Sequence, residues 1–473
     1  MKVTNILAIL ILACLSFTSC QKDAALLSNQ QQTGDNAAVE TPQDDLALRQ
    51  CRQKYSNEVA IEWIQLQQKL IKTTPGFNFG PAPSGRIFSY VGITMYEALL
   101  ADLANDYQSL SQQVGGIPSM PTYQRHLSYY APASVNTAMA QCTRNFFATT
   151  SAENKASIEA LEAAFNTKFE RDINAGTLQR SNDFGKQVAT AIFEWSKTDG
   201  TFATNPPYIA PVGAGLWIPT PPAFAPPANP YGGNNRTFIK NLLNRIPVPS
   251  PPFAYSEMPN SDFYKMVNEV YTISQNLTPD DLNIVKTWSD SPVNYNLAAH
   301  NYNILTQLIL KYRLPLDETA VLFAKYGIVA NDAGVIIFKA KYQYNQVRPI
   351  TYIRSVLGQN TWNTVIPTHP HPEYLWGHAV ASQAFAEVLK DKFGYRTPFT
   401  DNTHEALYGT RSYTSFDAYG QEAAWSGVLS GLHYKNTANI SLKVGVQVGR
   451  LANRIRFKKE GHHAHFLNVE ETQ

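Results

Sequence analysis

The sequence is poor in charged residues, and this shortage restricts its partners. Only 16% of the 473 residues are charged, against about 25% in an ordinary soluble domain. The formal net charge is +2, so the overall balance does not favour nucleic acid or an acidic membrane surface. Any affinity for anions must come from a local cluster of side chains.

Cysteine is equally scarce, with four residues in the whole chain. Cys14 lies in the apolar N-terminal stretch and Cys20 closes that stretch. Cys51 and Cys142 remain, and one disulfide could join them in an oxidising compartment, although the sequence leaves open whether they meet. The spacing excludes a cysteine-based zinc or redox motif.

Long apolar runs are absent beyond the N-terminus, which reads MKVTNILAILILACLSFTSC. Lys2 precedes an apolar stretch, and the small residues Thr18 and Ser19 lead into Cys20. This pattern predicts a lipoprotein signal over residues 1–19, with lipid on Cys20; plain secretion or an uncleaved anchor are the alternatives. Because no later run reaches the ~18 apolar residues that span a bilayer, we expect an exported protein held at the cell envelope, at the outer membrane, only by its lipid.

Residues 20–45 are polar and without periodicity, as in a flexible tether. Residues 46–473 form the predicted folded domain, and its apolar residues recur at helical spacing. Ser84 is a candidate cap for the first helix considered. The fold class is therefore all-α, a helical bundle. Further helices are predicted at about 134–149, 152–170, 183–197, 261–276, 296–312, 316–347, 378–391, 416–433 and 440–457.

Residues 205–256 interrupt this pattern with many prolines, as in WIPTPPAFAPPANPYGG. Proline has no backbone N–H and breaks helices, so the segment predicts a long loop. It either wraps over the helices or forms the rim of a pocket.

The first motif that carries chemistry is KYQYNQVRP, in which Lys341 and Arg348 are seven residues apart. Two helical turns separate them, so both cations are expected on one face near the end of the helix. Two such cations can bind a tetrahedral oxyanion. By itself this spacing is also typical of a solvated surface.

The second motif is PEYLWGH, where Gly377 and His378 lead into a helix. A glycine at a helix N-terminus lets backbone N–H groups approach an anion, and the imidazole can donate or accept a proton there. A capping turn with a structural histidine explains the same residues.

The third motif is SGVLSGLH, which places His433 near the end of a predicted helix. Histidine is a competent nucleophile towards phosphorus and a ligand for vanadium. Alone, His433 would be an ordinary residue at a helix end.

The three motifs occur in the order and approximate spacing of the superfamily that contains type-2 phosphatidic acid phosphatases and vanadium haloperoxidases. That superfamily carries K-x6-R-P, P-S-G-H and S-R-x3-G-x-H-x3-D, and this chain resembles its bacterial haloperoxidase-like branch best over residues 280–457. The resemblance implies that Lys341, Arg348 and Gly377 bind an oxyanion. It further implies that His378 is the acid or base and that His433 is the phosphatase nucleophile or the apical ligand of vanadate.

Four positions depart from the family. Trp376 stands in place of the serine of the second motif, with Leu375 in place of its proline. Gly427 replaces the arginine of the third motif, and Thr437 replaces its aspartate. Each lost hydrogen bond to the anion is worth about 1.5–3 kcal/mol, and the bulky Trp376 is expected to fill space where substrate should lie.

Ser426 and Gly431 match the third motif, while Arg411, Lys435 and Asn436 are candidates to replace the lost groups.

Two functions follow from these residues. The first is an enzyme that binds vanadate and oxidises halide with peroxide, or one that hydrolyses a phosphate ester. The second is an inactive relative that serves as a surface binding protein. The tail residues His462, His463 and His465 could bind a metal but are better explained as a basic terminus. His369 and His371 are expected in the loop before the second motif.

Overall fold

The computed structural model describes residues 55–74, 81–289 and 296–459, without the side chains of 81–84. The compact unit begins at Asn57. The predicted signal and tether, Cys20, Cys51 and the histidines of the tail lie outside the described residues. Cys142 is a buried free thiol.

Of the residues that the structure describes, 58% are helical and 3% are in strands, which confirms the predicted all-α class. The helices are α1 Glu58–Thr73, α2 Pro81–Ala98, α3 Leu100–Leu103, α4 Ala131–Phe146, α5 Ala152–Phe169, α6 Ala175–Ser196, α7 Leu242–Arg245, α8 Asp262–Ser274, α9 Pro279–Thr287, α10 Leu297–Lys311, α11 Leu316–Tyr344, α12 Pro349–Ser355, α13 Gly377–Phe393, α14 Glu405–Tyr408, α15 Phe416–Leu429 and α16 Lys435–Asn453. Two short strands, β1 Phe399–Asp401 and β2 Arg411–Tyr413, pair antiparallel with Phe399 opposite Tyr413.

Helix α11 forms the centre of the core and packs along α2. Their backbones approach so closely that a Cβ at Gly327 would lie 2.5 Å from Ser89 Cα, so a larger residue would force the helices apart. Helix α11 is also long and apolar enough to span a membrane, but 78% of its most apolar window is buried inside the protein. It is therefore explained as a core helix.

Several helix boundaries differ from the sequence prediction. Helix α6 starts at Ala175 instead of 183, and α2 starts at Pro81, so that Ser84 lies inside the helix and is not its cap. Three of the differences lie next to the motifs. Helix α11 ends at Tyr344 instead of 347, because Asn345 adopts left-handed backbone angles (φ 46°, ψ 38°) that Asn tolerates better than most residues. Helix α15 ends at Leu429 instead of 433. Helix α16 starts at Lys435 instead of 440, so His433 lies in the turn between the two.

The proline-rich segment 205–256 is a long loop, as predicted, with one 3₁₀ turn, Gly232–Asn234, and the short helix α7. Backbone hydrogen bonds fasten it beside the motifs. The Trp217 N–H donates to Asn345 O at 2.7 Å, and the Ala228 N–H donates to Pro370 O at 2.8 Å. The segment therefore wraps over the end of α11 and over the loop that precedes α13.

Candidate functional site

Lys341 lies in the last turn of α11 and is 1% exposed. Its ammonium group donates three hydrogen bonds to backbone carbonyls of the second motif: 2.9 Å to Pro372, 3.1 Å to Glu373 and 2.7 Å to Leu375. An ammonium group has three N–H bonds, so all of its donors are used. The interpretation of Lys341 as a solvated surface lysine is wrong, and so is its placement on one helix with Arg348, because α11 ends between them.

Arg348 is the residue before α12 and is fully buried. Its Nε donates to His371 O at 3.0 Å, and Nη1 donates to Leu432 O at 3.0 Å. Nη1 also lies 3.1 Å from His433 Nε2, and Nη2 lies 2.9 Å from His371 Nδ1. The guanidinium group thus joins the first motif to the second and third, and its contacts are all with protein atoms.

His433 is fully buried, and both of its ring nitrogens have protein partners. Nε2 faces Arg348, and Nδ1 lies 2.9 Å from Glu373 Oε1. Since Arg348 can only donate, we assign the proton to Nδ1, so that His433 donates to Glu373 and accepts from Arg348.

Glu373 supplies the carboxylate that the third motif lacks. It is fully buried, and besides His433 it accepts from the Tyr434 N–H at 3.1 Å and from Thr437 Oγ1 at 3.0 Å. The aspartate of the third motif has been replaced by Thr437, yet an acid still orients the imidazole. The sequence reasoning missed Glu373, although a histidine deprived of its carboxylate was a signal to look for another acid within the motifs.

Trp376 precedes α13 and is 4% exposed. Its ring centroid lies 4.3 Å from that of His378 and 4.1 Å from that of His433, with interplanar angles of 19° and 34°. Its Nε1 donates to Ala423 O at 3.1 Å. The indole therefore packs directly against both of the histidines on which the predicted chemistry depends.

Gly427 lies beneath this indole in α15. A Cβ added to Gly427 would lie 2.6 Å from Trp376 Cε2 and 2.7 Å from Nε1, closer than two such atoms can approach. The space into which an arginine at 427 would extend is thus filled by Trp376. The two departures from the motifs are complementary in shape.

The motifs predicted four further site residues, which are Gly377, His378, Ser426 and Gly431. Gly377 begins α13, as predicted, and His378 follows it. Ser426 Oγ donates to Ala423 O at 2.8 Å within α15. Gly431 takes φ 78° in the turn before His433, where a Cβ would also lie 2.7 Å from Trp362, so this turn requires glycine.

The three candidates to replace the lost groups are engaged elsewhere. Arg411 pairs with Glu422 at 2.6 Å, and Lys435 pairs with Glu269 at 2.8 Å. Asn436 lines a separate cleft of about 310 Å³ near the same Glu269. His371, in contrast, is more than a loop residue, because it contacts Arg348.

Burial governs the electrostatics of this cluster. It lowers the pKa of Lys341 well below its usual range, and the neighbouring Arg348 lowers it further. Burial likewise lowers the pKa of Arg348 to about 10, and it lowers the pKa of His433 well below its usual range, with Arg348 and Lys341 adding to the effect. It raises the pKa of Glu373 to about 7 against the opposing attraction of the two cations. His433 is thus held neutral.

Residues 321–458 match the family described as the VCPO second helical-bundle domain. A crystal structure described as that of the first bacterial vanadium-dependent iodoperoxidase is similar with a TM-score of 0.77 and 26% identity, over 86% of this chain and 99% of that chain. These matches support the resemblance of this chain to the superfamily of vanadium haloperoxidases and type-2 phosphatidic acid phosphatases.

Two further structures share the fold. The apo form of a bacterial vanadium-dependent chloroperoxidase has a TM-score of 0.60 and 16% identity over 80% of this chain and 95% of its own. The holo form has a TM-score of 0.61 and 15% identity over 82% and 95%. No protein with a curated description matches the sequence significantly.

The haloperoxidase site of this chain does not fit vanadate. The oxyanion would need donors from Lys341 and Arg348 and a lone pair from His433, and protein atoms use all of these. It would also need a cation near residue 427, where the indole of Trp376 lies. The family's two cations and its histidine are close together, but they form their hydrogen bonds with one another and with other protein groups.

Proposed function

We propose that this chain is a non-catalytic member of the haloperoxidase superfamily that serves as a surface binding protein. One observation carries the proposal: Trp376 packs against His378 and His433 and fills the space of the third motif's arginine. An anion could enter only after the indole had left and after Lys341 and Arg348 had given up their present acceptors. Each of these changes exposes or unpairs a buried group, which costs about 1–3 kcal/mol.

The N-terminal pattern supports a place for this function. With lipid on Cys20 and a polar tether up to residue 45, the helical domain would be held at the outer membrane and free to meet soluble ligands. Neither export nor lipidation is needed for the argument about the closed site.

A second candidate is an active enzyme, either a haloperoxidase that uses vanadate or a phosphatase. The convergence of Lys341, Arg348 and His433 favours it, as does the similarity to a structure described as an iodoperoxidase. In such an enzyme Trp376 would have to swing away on binding, and Arg348 would have to exchange a carbonyl for the anion.

Binding of orthovanadate, measured by isothermal titration calorimetry with phosphate as competitor, separates the two candidates. We expect no saturable binding to the wild-type chain. The double variant Trp376→Ser with Gly427→Arg restores one hydrogen-bond donor and one cation, together worth about 3 kcal/mol or more. This gain corresponds to about 100-fold or more in affinity, and we expect it to make the binding saturable.

His433→Ala in the same double variant is the control and should remove the regained binding. The proposal fails if the wild-type chain binds vanadate competitively with phosphate and loses that binding on His433→Ala. Halide oxidation and phosphate-ester hydrolysis would then be the activities to assay.

A further inference from the structure

An open cleft of about 710 Å³ lies between the end of the proline-rich segment and α11. Its lining includes Gly116, Asn234, Arg236, Lys240 and Lys339. Pockets for small molecules in proteins measure roughly 300–1,000 Å³, so the cleft is large enough for a sugar-sized ligand. It belongs to no motif of the haloperoxidase superfamily.

The charges that line this cleft are all positive. Arg236, Lys240 and Lys339 contribute cations, and no carboxylate is among the lining residues that the structure describes. The carboxylates near its wall are engaged: Asp332 accepts the backbone N–H groups of Phe238 and Ile239, at 2.7 Å each, and Asp199 pairs with Arg86. Of the uncharged stretch 201–235, three residues line the cleft: Gly233, Asn234 and Asn235.

Arg236 is fixed in place. Its guanidinium group lies 4.5 Å above the Trp195 ring, and its nitrogens donate at 2.8 Å to Thr198 Oγ1, to Tyr90 Oη and to the Trp195 carbonyl. These contacts fix one positive charge at the cleft wall. Because the side chain of Arg236 is already ordered, it loses little conformational entropy when a ligand binds.

Lys339 differs from Arg236 in the contacts of its charged group. Within residues 55–74, 81–289 and 296–459 its ammonium group makes no hydrogen bond or ion pair, and its side chain is partly exposed. The 3₁₀ turn packs on α11 beside it, because Gly233 has no side chain: a Cβ there would lie 2.5 Å from Lys339 Cα. The amide groups of the exposed Asn234, Asn241 and Asn244 border the same space and can both donate and accept.

We infer that this cleft binds an acidic sugar, a hydroxylated ring that carries a carboxylate or a sulfate. Lys339 supplies donors to the anionic group, and the charges of Arg236 and of Lys240, which also donates to Gln112 O, add to the attraction. The asparagine amides match the hydroxyl groups. The inference goes beyond the proposed function, because it concerns another surface and holds whether or not the haloperoxidase site binds vanadate.

The test titrates the full chain with glucuronate and with glucose 6-sulfate, using neutral glucose and inorganic sulfate as comparison ligands. We expect saturable binding of the acidic sugars that weakens with added salt, and none of glucose. Lys339→Ala should weaken it about tenfold, the loss of one charge-assisted hydrogen bond. Lys155→Ala, an exposed lysine on α5, should leave it unchanged.

Three results overturn the inference. The first is the absence of saturable binding of either acidic sugar, and the second is binding that Lys339→Ala leaves unchanged. The third is binding of sulfate as tight as that of glucose 6-sulfate, because the amides would then recognise no hydroxyl groups. Vanadate titrations of the same samples report on the other site, so the two proposals fail separately.

Discussion

Lys341 and Lys339 lie two residues apart on α11, and they differ in exposure and in hydrogen-bond partners. Two residues correspond to about 200° around a helix, so the two side chains leave opposite faces. Lys341 is 1% exposed and donates to three carbonyls, whereas Lys339 lines an open cleft and has no such partners among the described residues. A cation therefore makes a binding site only where its donors are left for a ligand.

The largest expected difference between the two lysines is in their effect on folding stability. Lys341→Ala removes the donor from three buried carbonyls and one of the cations that balance Glu373. Breaking a buried charged network in this way costs about 3–5 kcal/mol. We expect that decrease in the free energy of unfolding, measured by urea denaturation.

Lys339→Ala is the matched control on the same helix. It removes a partly exposed side chain without buried partners, and its effect should stay within about 0.5 kcal/mol. Equal decreases in the free energy of unfolding for the two variants would show that the buried contacts of Lys341 stabilise the fold no more than Lys339 does.

A smaller effect tests whether Glu373 has taken over the role of the missing aspartate. Thr437→Asp restores the residue of the third motif but places a second carboxylate beside Glu373, 3.0 Å from the present Thr437 oxygen. Two buried carboxylates repel each other, and we expect a loss of about 1–3 kcal/mol in the free energy of unfolding.

Glu373→Gln removes that repulsion. In this background Thr437→Asp should cost less, with a coupling energy of about 0.5–3 kcal/mol in a double-mutant cycle. If the two substitutions were additive, Glu373 would not occupy the role of the motif's carboxylate.

The last effect concerns pH and Asp332, a buried residue of α11 near the wall of the cleft. Burial raises the pKa of Asp332 to about 7 against its hydrogen bonds from Ile239 and Phe238. Because the folded pKa lies above the unfolded one, the protonated group stabilises the fold at low pH, and this contribution is lost as pH rises through about 7. Between pH 5 and 6 the slope from one such group is at most about 1.4 kcal/mol per pH unit.

Asp332→Asn should remove this part of the pH dependence. Its free energy of unfolding, followed by urea denaturation from pH 5 to pH 8, should rise relative to that of the wild-type chain as pH increases. A constant difference between the two proteins over this range would mean that Asp332 is ionised throughout.

Helical periodicity and the proline content were sufficient to predict the fold. Residues 152–170 and 296–312 were predicted as helices, and α5 and α10 match them within one residue at each end. The errors are of two kinds. The start of α6 was predicted at 183 but lies at Ala175, after the capping residue Asn174, and some helix ends are set by single residues, as Asn345 sets the end of α11. Such a stop depends on one left-handed residue, which periodicity over a window does not detect.

The motifs predicted which residues meet but not what they do there. Lys341, Arg348 and His433 converge as the resemblance implied, and Trp376 fills space near them as its size suggested. The saturation of their donors was beyond prediction, because it depends on carbonyl groups, and every residue has a carbonyl. The same holds for Glu373, whose role depends on its distance from His433 in space.

The fit between Gly427 and Trp376 also constrains the order in which such a sequence can arise. Since even a Cβ at 427 would lie 2.6 Å from the indole, any path from the family's motifs must lose the side chain at 427 before the tryptophan enters, or together with it. Reversion to the motif residue is unfavourable at either position alone. Arginine at 427 meets the indole, and serine at 376 leaves a void in a packed interior. The closed site is therefore protected against a return to chemistry by one substitution at a time.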